Sequence, residues 1–153
     1  MSRPYAAQLT RVVFRSDARP IVSIDDLKGR SIAVPPASFA HYLLDTRGIA
    51  VRTPYLAETD ILSAVDSGAM DAGVVSEWSF GWYRKTHPQS HLEVFDQQII
   101  DPALDFNVAV ILRNADQALL SRVNEIVGSL MDDGTVGRVF GNYGISYRLP
   151  LSR

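Results

Sequence analysis

Short apolar runs alternate with helix-like segments along most of the chain, and this alternation constrains the fold more than any other feature. Residues 31–34 and 71–75 are two such runs, and each is followed closely by an amphipathic segment. Strands that alternate with helices are joined by right-handed crossovers and build a parallel sheet. The sequence therefore predicts an α/β fold with a largely parallel sheet, in which residues 32–34 and 73–75 form adjacent parallel strands that are buried on both faces.

Serine residues mark the starts of two of the predicted helices. Ser38 precedes a segment that carries Phe39 and Leu43 on one face, and Ser76 precedes a segment rich in aromatic side chains. Serine is a preferred N-cap residue because its hydroxyl accepts a hydrogen bond from a free backbone N–H of the first turn. A third helix is predicted from about Glu58. The helix starts at Ser38 and Ser76 follow the carboxyl ends of strands, where ligands bind in open α/β sheets.

The rest of the chain predicts three further strands, one helical turn, a long apolar strand and two closing helices. The strands cover residues 9–15, 51–55 and 92–95, the turn covers residues 23–27, and the closing helices cover residues 117–132 and 136–143. Residues 106–112 form a strongly apolar run, which predicts a central strand. The helix over residues 117–132 has a wide apolar stripe along one face.

Composition and charge exclude several classes of function. The chain has 153 residues, which suffice for one ordinary α/β core and are few for two complete domains. Its net charge is -2 and its charges are mixed along the sequence, so no basic stripe is available for a nucleic acid. It has no cysteine, and its three histidines lack metal-ligand spacing, so we expect neither a metal nor a cofactor. No apolar run approaches the roughly 20 residues of a membrane span, and the N-terminus lacks the apolar core of a signal peptide.

Three phrases carry a resemblance to a known family. They are IDDLKGRSIAV at residues 24–34, LSAVDSGAMDAGVV at residues 62–75, and MDDGT at residues 131–135 followed by YGI at residues 143–145. In this order and at these separations they resemble bacterial extracellular solute-binding proteins of family 3, periplasmic proteins whose two lobes close on a solute like a clamshell. The resemblance implies that residues 1–105 form lobe two, and that residues 106–153 form the hinge return strand and C-terminal helices of lobe one.

A narrower likeness concerns two shorter stretches. VVSEWSFGWY at residues 74–83, followed by His87 and Pro88, and DFNVAV at residues 105–110 are similar to solute-binding-like proteins associated with quinoprotein alcohol dehydrogenases, including methanol dehydrogenases, in methylotrophs. This likeness implies an accessory role beside a periplasmic dehydrogenase. The broader resemblance implies delivery of a small polar ligand to an ABC permease.

The family resemblance also indicates ligand-binding residues. Amino-acid binders of the family usually have Gly-Thr where this chain has Ala37 and Ser38, and there the backbone N–H and hydroxyl hold a carboxylate. They place an aspartate at the position of Ser76, where it pairs with an ammonium group. Because Ser76 cannot supply that charge, and because the half-site from the first part of lobe one lies outside the matched region, we expect free amino acids to bind weakly or not at all. The expected ligand-binding residues are Ser38, Phe39, His41, Ser76, Glu77 and Trp78.

Each of these residues also has a purely structural explanation, and three classes of function remain open. Ser38 could serve only as a helix cap, Trp78 could belong to the lobe core, and His41 could be a surface residue. The classes are a transport-type binder, an accessory protein and an enzyme of the dehydratase or lytic transglycosylase type. The enzyme ranks last, because Glu77 and His41 are the only acid–base candidates and no spacing links them. We therefore assign no catalytic residue.

The apolar stripe of residues 117–132 leads to one further expectation. The family pattern covers this stripe with strands that precede the matched region. In their absence the stripe would be exposed, and an apolar patch of this kind usually finds a partner. We therefore expect self-association through the C-terminal helices.

Overall fold

The computed structural model describes residues 1–152 and contains six strands and five α-helices in that part of the chain. The strands are β1 (Pro4–Gln8), β2 (Thr10–Arg15), β3 (Ile32–Ala33), β4 (Ala72–Ser76), β5 (Leu92–Val94) and β6 (Phe106–Ala109). The helices are α1 (Phe39–Thr46), α2 (Glu58–Asp66), α3 (Glu77–Thr86), α4 (Gln117–Asp132) and α5 (Thr135–Asn142). Short 3-10 helices cover Ile24–Leu27 and Pro102–Leu104. No described helix has the length and apolar character needed to cross a membrane.

Four of the strands form one sheet in the order β3-β4-β2-β5. The predicted parallel pairing is confirmed, with Ile32 opposite Ala72 and Ala33 opposite Gly73. The prediction of a largely parallel sheet is wrong, since β2 runs antiparallel to both β4 and β5. The reason is that the connection from β2 to β3, over residues 16–31, contains only a short 3-10 helix and no α-helical crossover that would return the chain in the same direction.

Strands β1 and β6 pair antiparallel in a separate two-stranded sheet. Leu9 separates β1 from β2, and Asp105 precedes β6, so the chain passes between the two sheets at these points. An ion pair between buried Arg11 and half-buried Asp105 connects these two crossings, with Arg11 Nη1 2.9 Å from Asp105 Oδ1. The backbone N–H of Thr10 donates to the same carboxylate at 2.9 Å. The two connections between the sheets are therefore held side by side.

Two strand predictions need correction. The run predicted as a long central strand forms only β6, whose residues are half-buried or exposed, because β6 pairs with β1 alone among the described strands. Val110 and Ile111, which follow it, are exposed. The strand predicted over residues 51–55 is reduced to a bridge between Arg52 and Ala33. Pro54 interrupts it, since proline has no N–H to donate to a sheet.

The core lies on both faces of the four-stranded sheet. Alternate residues of β2 point to opposite faces, so Val12 packs in one cluster and Val13 in the other. Each fully buried Val, Leu or Ile side chain contributes about 1.5–3 kcal/mol to stability relative to an exposed one. Gly73 lets α2 approach β4 closely, because a Cβ there would lie 2.6 Å from Cγ2 of Ile61. The first turn of α2 lies near the carboxyl end of β4, where Glu58 contacts Ser76.

The rest of the molecule covers the C-terminal helices only in part. Phe140 of α5 packs edge-on against Trp78 of α3, with ring centroids 5.1 Å apart. The stripe of α4 contains Leu119, Ile126 and Leu130, which are 49%, 46% and 39% exposed. Part of the apolar stripe of α4 therefore remains exposed.

Candidate functional site

A cavity of about 190 Å³ lies where the two sheets meet. Gln8 lines it from β1 of the two-stranded sheet, Thr10 from β2 of the four-stranded sheet, and Phe106 from β6. Ser38 and Phe39 contribute the start of α1, and Glu58 contributes the start of α2. Polar groups at helix starts and aromatic walls therefore converge at the carboxyl side of the sheet, the usual place for a ligand in this fold class.

Ser38 caps α1, as the sequence predicts. Its hydroxyl oxygen accepts a hydrogen bond from the backbone N–H of His41 at 3.1 Å. Ala37, directly before it, has φ of 55°, a left-handed conformation that favours glycine. The hydroxyl hydrogen of Ser38 remains able to donate, so capping and ligand contact are compatible.

Ser76 caps α3 and is also joined to a carboxylate that the sequence did not indicate. Its hydroxyl donates to Glu58 Oε2 at 2.6 Å, and its backbone N–H donates to Glu58 Oε1 at 3.1 Å. Its hydroxyl oxygen accepts from the backbone N–H of Ser79 at 3.1 Å. Sequence reasoning missed Glu58 because an acidic residue in the first turn of a helix is explained by the helix dipole alone. Glu58 could have been identified from its position at the start of the helix that packs against β4.

Glu77 and Trp78 lie next to Ser76 in the sequence but make different contacts. Glu77 is buried and forms an ion pair with Arg148, whose Nη2 lies 2.8 Å from Oε1. The hydrogen bond and the negative charge of Glu77 raise the pKa of Arg148 above its usual value. Both residues line a second cavity, of about 400 Å³, between α3 and the C-terminal tail. The side chain of Trp78 instead packs on Phe140, and its Nε1 is buried without a hydrogen-bond partner in the described chain.

The acid–base candidates are not brought together into a catalytic pair by these contacts. His41 lies half-buried on α1, and its backbone N–H is used by Ser38. Glu77 lies on α3, and its carboxylate is held by Arg148. Within residues 1–152, no group of three or more His, Cys, Asp or Glu side chains could hold a metal ion. The arrangement at the first cavity suits binding through hydrogen bonds, charge and aromatic contact.

Comparison with known proteins identifies the fold. No family model matches the chain, and no curated protein sequence matches it. Among solved structures, periplasmic binding protein XoxJ from Methylobacterium extorquens has a TM-score of 0.78 at 15% identity, over 99% of this chain and 72% of that protein. The L-cystine solute receptor of Neisseria gonorrhoeae, in its unliganded open conformation, has a TM-score of 0.75 at 18% identity, over 99% of this chain and 62% of the receptor.

An ancestral cationic amino acid solute-binding protein is similar as well, with a TM-score of 0.76 at 22% identity over 94% of this chain and 61% of its own length. The chain therefore has an α/β fold of the periplasmic-binding-protein type. It contains lobe two of the clamshell together with the C-terminal part of lobe one, and it spans 62% of the length of the L-cystine receptor. These neighbours are binding or receptor proteins, and at such identities they show the fold alone.

Proposed function

We propose that the chain is the solute-binding part of a periplasmic binding protein that holds a small polar solute between its lobes and serves an ABC permease. The observation that carries this proposal is the convergence of Ser38, Glu58 and Phe106 on one cavity at the crossing between the sheets. A periplasmic location is part of this proposal, and the similarity to the periplasmic binding protein XoxJ supports it. The domain boundary after residue 105 is part of the same proposal.

The cavity offers both polar and apolar contacts for such a solute. Ser38 and Thr10 bring hydroxyl groups, and Glu58 brings a carboxylate. Phe39 is 50% exposed and Phe106 is 42% exposed, so both rings are available to cover the apolar part of a solute. Phe39 belongs to α1 and Phe106 to β6, so hinge motion at the crossing strands would bring them together and remove water from the solute.

A screen of small polar solutes by saturation-transfer NMR tests this proposal. The panel contains amino acids, amines, hydroxy acids and sugars, and we expect at least one class to bind the chain. Phe39→Ala should weaken that binding about tenfold, since it removes an aromatic wall of the cavity. Leu149→Ala, at a residue that is 69% exposed in the C-terminal tail, serves as the control and should leave binding unchanged. Binding that is insensitive to Phe39→Ala would contradict the proposal.

A second candidate function is an accessory role beside a periplasmic quinoprotein dehydrogenase. An exposed aromatic pair favours it, since Trp82 and Tyr143 are 41% and 53% exposed, with ring centroids 5.7 Å apart. Exposed aromatic side chains are frequent anchors of protein interfaces. Trp82→Ala should then weaken binding to a purified, immobilised quinoprotein alcohol dehydrogenase while leaving solute binding intact. Absence of binding to that enzyme would contradict the accessory role, and solute binding would be the one proposal that remains.

A further inference from the structure

We propose that Glu58 gives the cavity its charge selectivity, so that the preferred solute carries an ammonium or amidinium group. This inference rests on the proposed solute-binding function and names the class of solute. It begins from a carboxylate that a neighbouring element holds in a fixed position. Both oxygens of Glu58 accept hydrogen bonds from Ser76, at 2.6 Å from the hydroxyl and 3.1 Å from the backbone N–H.

The hydrogen bonds from Ser76 orient Glu58 without using all of its acceptor capacity. A carboxylate has about four lone-pair sites, and Ser76 occupies two of them. The side chain is half-buried and lines the cavity together with Ser38 and Phe39. A cationic group that enters the cavity can therefore meet a carboxylate that is already positioned.

The charge of the cavity is not balanced by a cationic side chain. Among the described residues that line it, Glu58 is the one acidic or basic residue, and the others are polar and uncharged or apolar. The ion pairs of the described chain do not include Glu58. A cleft lined by charge of one sign attracts the opposite charge and repels its own, and this effect grows where water is partly excluded.

The position of Glu58 removes one of the reasons for expecting free amino acids to bind weakly. That expectation rested partly on Ser76, which cannot pair with an ammonium group. The structure places a carboxylate 2.6 Å from the Ser76 hydroxyl, so the negative charge comes from the start of α2 instead of the end of β4. An ammonium group in this cavity would have a partner.

The test uses two probes with the same apolar body and opposite charge. L-Leucinamide carries an ammonium group and no carboxylate, and N-acetyl-L-leucine carries a carboxylate and no ammonium. Each is titrated into the 15N-labelled chain at about pH 6.5, where the ammonium is largely protonated. We expect L-leucinamide to shift the backbone amide signals of Ser38, Glu58 and Ser76 in a saturable manner, and N-acetyl-L-leucine to leave them in place.

Matched variants assign the effect to Glu58. Glu58→Gln replaces the carboxylate beside Ser76 with an uncharged amide of similar shape. This change should weaken L-leucinamide binding at least about tenfold. Glu58→Asp keeps the charge and should retain the preference for the ammonium probe. Asp60→Asn removes an exposed carboxylate from the same first turn of α2 and should leave binding unchanged.

Three results would overturn the inference. They are equal shifts from both probes, unchanged L-leucinamide binding in Glu58→Gln, and shifts of these amides by an uncharged or acidic solute when L-leucinamide causes none. Each of them still shows a solute in the cavity, so the solute-binding function would stand while the role of Glu58 falls. Solutes that shift only amides distant from Ser38, Glu58 and Ser76 would contradict both.

Discussion

Asp71 joins the starts of two neighbouring strands through a reciprocal pair with Ser31. Its Oδ2 accepts from the backbone N–H and from the hydroxyl of Ser31, each at 2.7 Å, and its own N–H donates to the Ser31 hydroxyl oxygen at 3.0 Å. The backbone N–H and then the hydroxyl of Ser31 hold the pKa of Asp71 below its usual value. A carboxylate with a lowered pKa in the folded state stabilises the fold while it is ionised.

This pair leads to a prediction about pH. The contribution of Asp71 is complete above the pKa of the unfolded state, about 3.9, and is lost as pH falls through the lower pKa of the folded state. Asp71→Asn should lower the free energy of unfolding at neutral pH by about 0.5–1 kcal/mol, since solvent screens an exposed carboxylate. The difference should shrink in acid. Urea unfolding of both proteins at neutral and acidic pH measures it, and a difference that does not depend on pH would contradict the role of the charge.

At the scale of residues, capping could be predicted and the charge of the cavity could not. Ser38 and Ser76 were predicted as caps, because serine before an amphipathic segment has a direct local meaning, and both caps are present. Glu58 meets Ser76 across 18 residues of sequence, and no local pattern reports such a contact. The left-handed φ of Ala37 was equally hidden, since alanine does not favour that conformation.

At the scale of elements, α3 and the segment that follows α5 approach through glycines. A Cβ on Gly81 of α3 would lie 2.7 Å from the carbonyl oxygen of Gly144, two residues after the end of α5. That oxygen belongs to the backbone, so a side chain cannot simply turn away to make room. The contact therefore depends on glycine at position 81.

Gly81→Ala should destabilise the protein by about 1–3 kcal/mol, because the added methyl group forces the tail away from α3. Gly141→Ala is the control, since a Cβ at Gly141 in α5 meets nothing within 4 Å. That change should be neutral or stabilise by up to about 1 kcal/mol, as alanine favours a helix more than glycine does. Thermal and urea unfolding of both variants measure this, and equal stability of the two would contradict the close contact.

Helices were predicted more accurately than strands. The predicted range 117–132 matches α4, because a capped segment with a full apolar stripe defines its own limits. The length of β6 was wrong, because an apolar run extends as a strand only as far as it has neighbours to pair with. The antiparallel direction of β2 was missed because the prediction treated every connection as a crossover, whereas the connection from β2 to β3 contains only a short 3-10 helix.

At the scale of the whole molecule, the exposed face of α4 and α5 remains a predicted site of self-association. Ile126 and Leu130 of α4 and Val139 of α5 are 46%, 39% and 49% exposed, and Leu130 and Val139 line one apolar groove. We expect sedimentation equilibrium to show dimers or larger species whose fraction rises with concentration. Ile126→Glu should give a monomer, because it places a charge on this face, and Ser121→Glu, at an exposed polar residue of α4, should not.

A monomer at high concentration, with α4 well protected from hydrogen exchange, would contradict this expectation. It would show that α4 is stable without a second copy over its apolar face. The solute cavity contains neither Ile126 nor Leu130. The solute-binding proposal therefore does not depend on the outcome.

The position of a bound solute tests the proposed solute-binding function of the chain most directly. A crystal structure with the tightest-binding solute of the screen should show that solute in the cavity between Ser38, Glu58 and Phe106. A polar atom of the solute should lie about 2.7–3.2 Å from the Glu58 carboxylate, as expected for a hydrogen bond. A solute found instead in the cavity beside Glu77 and Arg148 would contradict the proposed solute-binding site.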